Sequence, residues 1–329
     1  MTSNDKLGII VTVAVVIIFV GIGVGMSSIP EPVETISDRP TIQQQGMNFE
    51  PLVTKDVKLP AESKDKESKE KNLVKSDKIN NSNCEIIVGK KGWVENLNLA
   101  NCDFKNTDFS HQIFSNVNLH NVDFRYSNLK NAVFLNSDLS NVDFRVSETQ
   151  GIRFQDSDLR NANMYGINLS GSFFVHSNLS NINLSNTELA RVTFQDSNLS
   201  HANLSYSNLE LVNFSSCNLT RINLNDSNLI SVNLHNLSLL HSNFAGSYSE
   251  HSAFYNSDFT GSDFREIVFN HANFDNADLT NSSLIDAEIS NSMMRNTILT
   301  NANLRDATIT NTFMTNAITD CINHSKCLD

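Results

Sequence analysis

Beyond Pro60 the 329-residue chain contains no proline, and its single Trp and 12 Gly leave few of the usual markers of turns. Charged residues make up 18%, against about 25% in soluble domains. These shortages exclude collagen-like, Pro-rich and highly charged disordered classes for the bulk of the chain. All five prolines (Pro30, Pro32, Pro40, Pro51 and Pro60) crowd into the N-terminal segment, so the composition divides the chain in two. What abounds is Asn and Phe, with 20 Phe against one Trp and a net charge of -12.

Residues 1–6 form a short N-terminal stretch. Leu7 to Met26 is an uncharged apolar run, and about 20 residues at ~1.5 Å each match the hydrocarbon thickness of a bilayer. It is expected to be a single transmembrane helix, and so the membrane is an expected partner. The alternative is a cleaved signal peptide, for which Gly23-Val24-Gly25 offers a weak cut site. Lys6 precedes the run, whereas Glu31, Glu34 and Asp38 follow it with Arg39 the nearest cation. The positive-inside rule then puts the remainder outside the cytoplasm. Residues 27–83 hold the prolines and the run KDKESKEKNLVKSDK, with no apolar periodicity. They cannot bury enough surface to offset their ordering entropy, and are expected to be a disordered tether.

From Leu99 to Met314 every fifth residue is Phe, Leu, Met or Ile, save Thr149 and Ser249. Two residues earlier stands a small or β-branched residue, and Asn or Asp usually lies between them. Five fits neither a helix nor a strand. It fits a short extended side followed by a corner, with the large and small residues inside and the Asn outside. Every fourth large position gives Phe114, Phe134, Phe154, Phe174, Phe194, Phe214, Phe254 and Phe274, interrupted at Leu234. The next column is nearly all Leu, so the superperiod is twenty and each coil has four sides. About eleven coils at ~4.8 Å make a rod of roughly 50 Å.

Runs such as Ser137-Asp138-Leu139-Ser140-Asn141, Ala202-Asn203-Leu204-Ser205-Tyr206 and Ala302-Asn303-Leu304-Arg305-Asp306 resemble pentapeptide repeats, A(D/N)LXX. The resemblance spans about residues 97–318. It implies an all-β fold, a right-handed quadrilateral β-helix, in agreement with the four-sided coil. Both open ends of such a rod need covers. Residues 84–96, with Trp93, are expected to cap the first end. Residues 319–329 are expected to cap the second, Cys321 and Cys327 being close enough for a short disulfide loop outside the cell. Cys102 and Cys217 occupy small interior positions and read as packing residues, while Cys84 has no obvious partner.

Little in the pattern carries chemistry. Thr149 and Ser249 break the apolar frame in one column, as a polar site or as hydroxyls bonded to backbone. His251 and His271 fall one coil apart, about 5 Å, but two histidines without a third ligand are a solvated surface and no metal site. His201, Arg221 and His241 form another outward column. No nucleophile and base pair, phosphate-cradling Gly loop or Cys-x-x-Cys is present, so neither enzyme activity nor a cofactor is expected. Sequons such as Asn178-Leu179-Ser180 arise from the repeat itself. Nearly all the net negative charge falls on residues 84–329, which excludes bare nucleic acid as a direct partner. The leading expectation is a membrane-tethered rod displayed outside the cell that binds protein or glycan. The alternative is an acidic rod mimicking DNA toward a type II topoisomerase, as the quinolone-resistance members of the family do. Those members carry functional loops and a C-terminal dimer segment, for which this sequence shows no counterpart.

Overall fold

The computed structural model describes residues 82–89, 92–325 and 327. The expected membrane helix at 7–26, and the tether as far as residue 81, lie outside the described residues. Among the described residues no helix is long and apolar enough to cross a membrane.

The described chain winds as a four-sided solenoid of about eleven coils, the strand and bridge residues of each side pairing in parallel with those about twenty later. A short helix, α1 (Ser82–Ile87), leads into β1 (Trp93–Glu95). Six further strands stack on the same side: β2 (Ile113–Ser115), β3 (Val133–Leu135), β4 (Arg153–Gln155), β5 (Phe173–Val175), β6 (Thr193–Gln195) and β7 (Asn213–Ser215). A second sheet forms on a different side: β8 (Tyr248–Glu250), β9 (Val268–Asn270), β10 (Glu288–Ser290) and β11 (Thr308–Thr310). The remaining sides are held by single bridges, such as Asn98 to Asn118 and Asp103 to Asp123.

Neighbouring coils and the corner together satisfy the backbone of each repeat. Leu99 N–H donates to the Asn118 carbonyl at 2.8 Å and Asn118 N–H to the Leu97 carbonyl at 3.0 Å, while Cys102 N–H closes the corner on the Leu99 carbonyl at 3.1 Å. The last corner residue has positive φ, as at Asn101 (62°) and Asn121 (58°). Asn tolerates this left-handed conformation because its short amide bonds locally. The outward Asn or Asp between the two interior residues accepts the corner N–H two residues on, as Asn98 Oδ1 does from Ala100 and Asp103 Oδ1 from Lys105.

Strands occur mostly where that Asx contact is missing. Every strand except β7 begins on a residue that is neither Asn nor Asp: Trp93, Ile113, Val133, Arg153, Phe173, Thr193, Tyr248, Val268, Glu288 and Thr308. Its absence is not sufficient, since Ser238, Ala253 and Met293 pair only as single bridges. Past the strands of the first sheet, buried serines accept further N–H groups. Val117 N–H donates to Ser137 Oγ, Ser137 N–H to Ser157 Oγ, Ser157 N–H to Ser177 Oγ and Ser177 N–H to Ser197 Oγ. Each hydroxyl in turn donates to a carbonyl, as Ser177 Oγ does to Val175 at 2.9 Å.

The frame starts one coil before Phe114, with Val94 buried and Trp93 facing outward in register with Ile113. At the first end the structure departs from sequence reading over cysteine. Cys102 is joined to Cys84 by a disulfide, with Cα atoms 5.7 Å apart, instead of only packing. The reason is α1, which the repeat pattern could not reveal: it brings Cys84 to the small interior position of the first coil and buries Ile87. Cys217 is buried and free; its Sγ donates to the Ser215 carbonyl, and burial pushes the thiol up to about 12. At the second end Cys321 and Cys327 are bonded, with Cα atoms 4.9 Å apart, and a ring nitrogen of His324 meets the Ala307 carbonyl. This loop leaves Phe313, Ile318 and Ile322 exposed beside a pocket of about 520 Å³ lined by Ile309, Met314 and Thr319.

Candidate functional site

The interior is filled by side chains. In the Phe column the rings of Phe114 and Phe134 stack at 4.8 Å, Phe134 and Phe154 at 5.1 Å, Phe154 and Phe174 at 5.1 Å, Phe174 and Phe194 at 4.9 Å, and Phe194 and Phe214 at 5.1 Å. The stack resumes after Leu234 with Phe254 on Phe274 at 4.6 Å. Thr149 and Ser249 are wholly buried within this interior. Thr149 Oγ1 donates to the Asn168 carbonyl at 2.7 Å, whereas Ser249 Oγ has no hydrogen-bond partner. Neither hydroxyl is offered to solvent.

His251 sits on a corner with its ring stacked on His271 at 4.8 Å, the two planes 10° apart. Glu250 lies beside it, its Oε1 3.7 Å from His251 Nε2; Glu250 Oε2 accepts from Tyr248 Oη at 3.0 Å and Oε1 from Asn270 Nδ2 at 3.4 Å. Among the described residues no group of three or more His, Cys, Asp or Glu could hold a metal ion.

The outer surface is organised in axial ladders. On the third side Asp103, Asp123 and Asp143 alternate with Lys105, Arg125 and Arg145. Lys105 Nζ reaches Asp103 at 3.1 Å and Asp123 at 3.0 Å, while Arg125 and Arg145 each meet the Asp two residues earlier at 2.7 Å. Burial by itself raises the Asp123 carboxyl, but hydrogen bonds from the Arg125 side chain and backbone and from Lys105 overcome this and hold it well below the usual carboxylate range. On another corner Asn121 donates to Asn101 at 3.2 Å and Asn161 to Asn141 at 3.2 Å, forming amide ladders. On the first side the outward residues are apolar for several coils, and Arg153 lies 4.5 Å above the Phe173 ring.

The corner after the charged ladder breaks the Asn rule. Tyr126, Val146 and Tyr206 hold left-handed φ of 64°, 62° and 59°, and are 58%, 61% and 62% exposed. Tyr165 stands one residue before the same corner, is also exposed, and accepts from Asn186 Nδ2 at 3.0 Å. Sequence reading passed over these residues because corner positions carried no periodic signal of hydrophobicity. Reading the corner residue alone, every twentieth position, would have shown them.

Such a molecule is a parallel β-solenoid whose interior is structural and whose outside is a lattice of side chains. The chain belongs to the pentapeptide repeat family: the model of the pentapeptide repeat region matches residues 95–174 and 167–244, and that of pentapeptide repeats in eight copies matches 250–286, 262–301 and 282–318. No curated protein sequence matches it. Among solved structures it is similar to HetL, a pentapeptide repeat protein involved in heterocyst differentiation regulation from the cyanobacterium Nostoc sp. strain PCC 7120. That match has 22% identity and a TM-score of 0.31, covering 69% of this chain and 93% of that one. It is also similar to QnrB1, a plasmid-mediated fluoroquinolone resistance protein, at 22% identity and TM-score 0.36, over 61% and 86% of the two chains. A third match is PfbA, a surface protein and adhesin of Streptococcus pneumoniae, at 7% identity and TM-score 0.29, over 69% and 89%.

Proposed function

We propose that this protein is a non-enzymatic interaction module, a rod tethered to a membrane through residues 7–26 and displayed outside the cell, where it binds protein or glycan. The observation that carries the reading is the filled interior. Large side chains at or near zero exposure occupy the core from Leu99 to Leu304, so what the rod offers to another molecule is its repeating outer surface. A catalytic site usually needs groups converging in a cleft, and the ladders instead run parallel along the axis. The test is protease added to intact cells expressing the full chain. Digestion of the rod supports display; full protection with digestion only after lysis refutes it.

A second reading, the acidic DNA mimic, draws on one corner whose later residues are Asp226, Glu266, Asp286 and Asp306, in a chain of net charge -12. It requires a rod facing the cytoplasm, so the same protease experiment separates the two. Inhibition of DNA supercoiling by the purified chain would then favour the mimic.

A further inference from the structure

We propose that the tyrosine-bearing corner is a binding edge for an extended β-1,4-linked hexopyranose chain, an inference that rests on the reading of the rod as a glycan-binding module. Tyr126, Tyr165 and Tyr206 are borne by alternate coils of one corner. Two coils advance about 10 Å, which is also the length of one disaccharide of an extended β-1,4-linked chain. In such a polymer every second sugar presents the same face. Three rings set at that interval meet successive like faces, each stacking its π-surface on the axial C–H groups of one sugar.

The setting between the rings fits the same ligand. The corner is uncharged from Tyr126 through Val146, Gly166 and Asn186 to Tyr206, and turns acidic only at Asp226. At Gly166 nothing lies within 4 Å of where a Cβ would stand, leaving the corner beside Tyr165 open. On one flank Arg125 and Arg145 are neutralised by Asp123 and Asp143. On the other, Asn208 Nδ2 donates to Glu188 Oε1 at 2.9 Å. Paired guanidinium, carboxylate and amide groups suit sugar hydroxyls, which donate and accept alike. A protein interface gathers its aromatic anchors into one buried centre; single rings spaced along an axis match a linear repeating polymer instead. Tyr126 and Tyr206 also occupy corner positions that Asn fills at lower backbone strain.

The experiment is calorimetric titration of the full-length chain in detergent with cellohexaose, chitohexaose and peptide-free peptidoglycan glycan strands. These arms distinguish the source of the shared β-1,4 linkage; laminarihexaose, which is β-1,3-linked, is the control. At least one β-1,4 ligand is expected to bind, about tenfold tighter than its disaccharide because it spans more than one ring. Tyr126→Asn, Tyr165→Ser and Tyr206→Asn are each expected to weaken binding about three- to tenfold, and the triple variant to abolish it. Asn and Ser already stand at equivalent positions of other coils, so these variants are expected to keep the wild-type urea midpoint or raise it. Tyr126→Phe and Tyr206→Phe are expected to bind normally. Failure of all three β-1,4 ligands at millimolar concentration overturns the inference. So does equal binding of laminarihexaose, or unchanged binding by the triple variant. Calorimetry on purified chain is independent of topology. A rod displayed on cells that binds none of these glycans defeats this inference alone, and a rod protected from protease defeats the display reading alone.

Discussion

Replacing an exposed valine by asparagine is ordinarily neutral, but at Val146 it is expected to stabilise the rod. Val146 holds φ of 62° and is 61% exposed. A left-handed conformation costs an L-residue with a Cβ about 1–2 kcal/mol, a cost Asn largely escapes by bonding locally. Against this, the partial burial of Val contributes about 0.5 kcal/mol, a fraction of the ~1.5 kcal/mol for a fully buried side chain. The neighbours one coil away on this corner are Tyr126 and Gly166, so no amide ladder is available to add to the gain. Val146→Asn should therefore stabilise by about 1 kcal/mol. With a urea slope of roughly 3 kcal/mol/M, the midpoint rises by about 0.3 M. The reverse change at a regular corner, Asn136→Val, where φ is 47°, should lower the midpoint by a similar or larger amount. Equilibrium urea unfolding followed by circular dichroism reads both. A midpoint for Val146→Asn at or below that of the wild type would refute the strain argument.

Ser177→Ala removes the acceptor of the Ser157 N–H and the donor to the Val175 carbonyl, leaving a buried N–H unpaired; urea unfolding should show a loss of about 1–3 kcal/mol. Removing the Cys84–Cys102 bond, which spans 18 residues, should cost about 3 kcal/mol by loop entropy, read as a lower midpoint for Cys84→Ser; an unchanged midpoint in both oxidised and reduced samples would sink it. Because the Asp123 carboxyl lies lower folded than unfolded, its contribution is present above about pH 3.9 and lost as pH falls through its folded value. Acid titration of stability should therefore be shallower in Asp123→Asn than in the wild type, and identical curves would contradict this.

How much of the fold was legible follows from how local the instructions are. The step of five and the superperiod of twenty are properties of the sequence, and they place Phe114 on Phe134 and Leu119 on Leu139 without knowledge of any contact. The serines at 137, 157 and 177 were visible as small residues. Their role as internal acceptors was not, because it depends on which buried N–H the stacked coils bring within reach of each hydroxyl. The strands of the first sheet were in part readable from the absence of Asn or Asp at Ile113, Val133 and Phe173. The tyrosine edge escaped notice because a corner tolerates any side chain that accepts its conformation. Thr149 and Ser249 read as a polar site or as hydroxyls bonded to backbone; both are enclosed within the coil, and the hydroxyl of Thr149 bonds to backbone while that of Ser249 does not.

The sequence by itself determined the coil: its four sides, its register, and the absence of proline after residue 60, since proline would remove a ladder donor. Tertiary structure alone decided what happens where the repeat stops governing. The union of Cys84 with Cys102 depends on a helix outside the period, and at the other end Ile309 and Met314 are left only partly buried beside an open pocket. The tyrosine edge is shared between the two: the superperiod of twenty places residues 126 and 206 on one corner, and the stacked coil leaves their side chains exposed there.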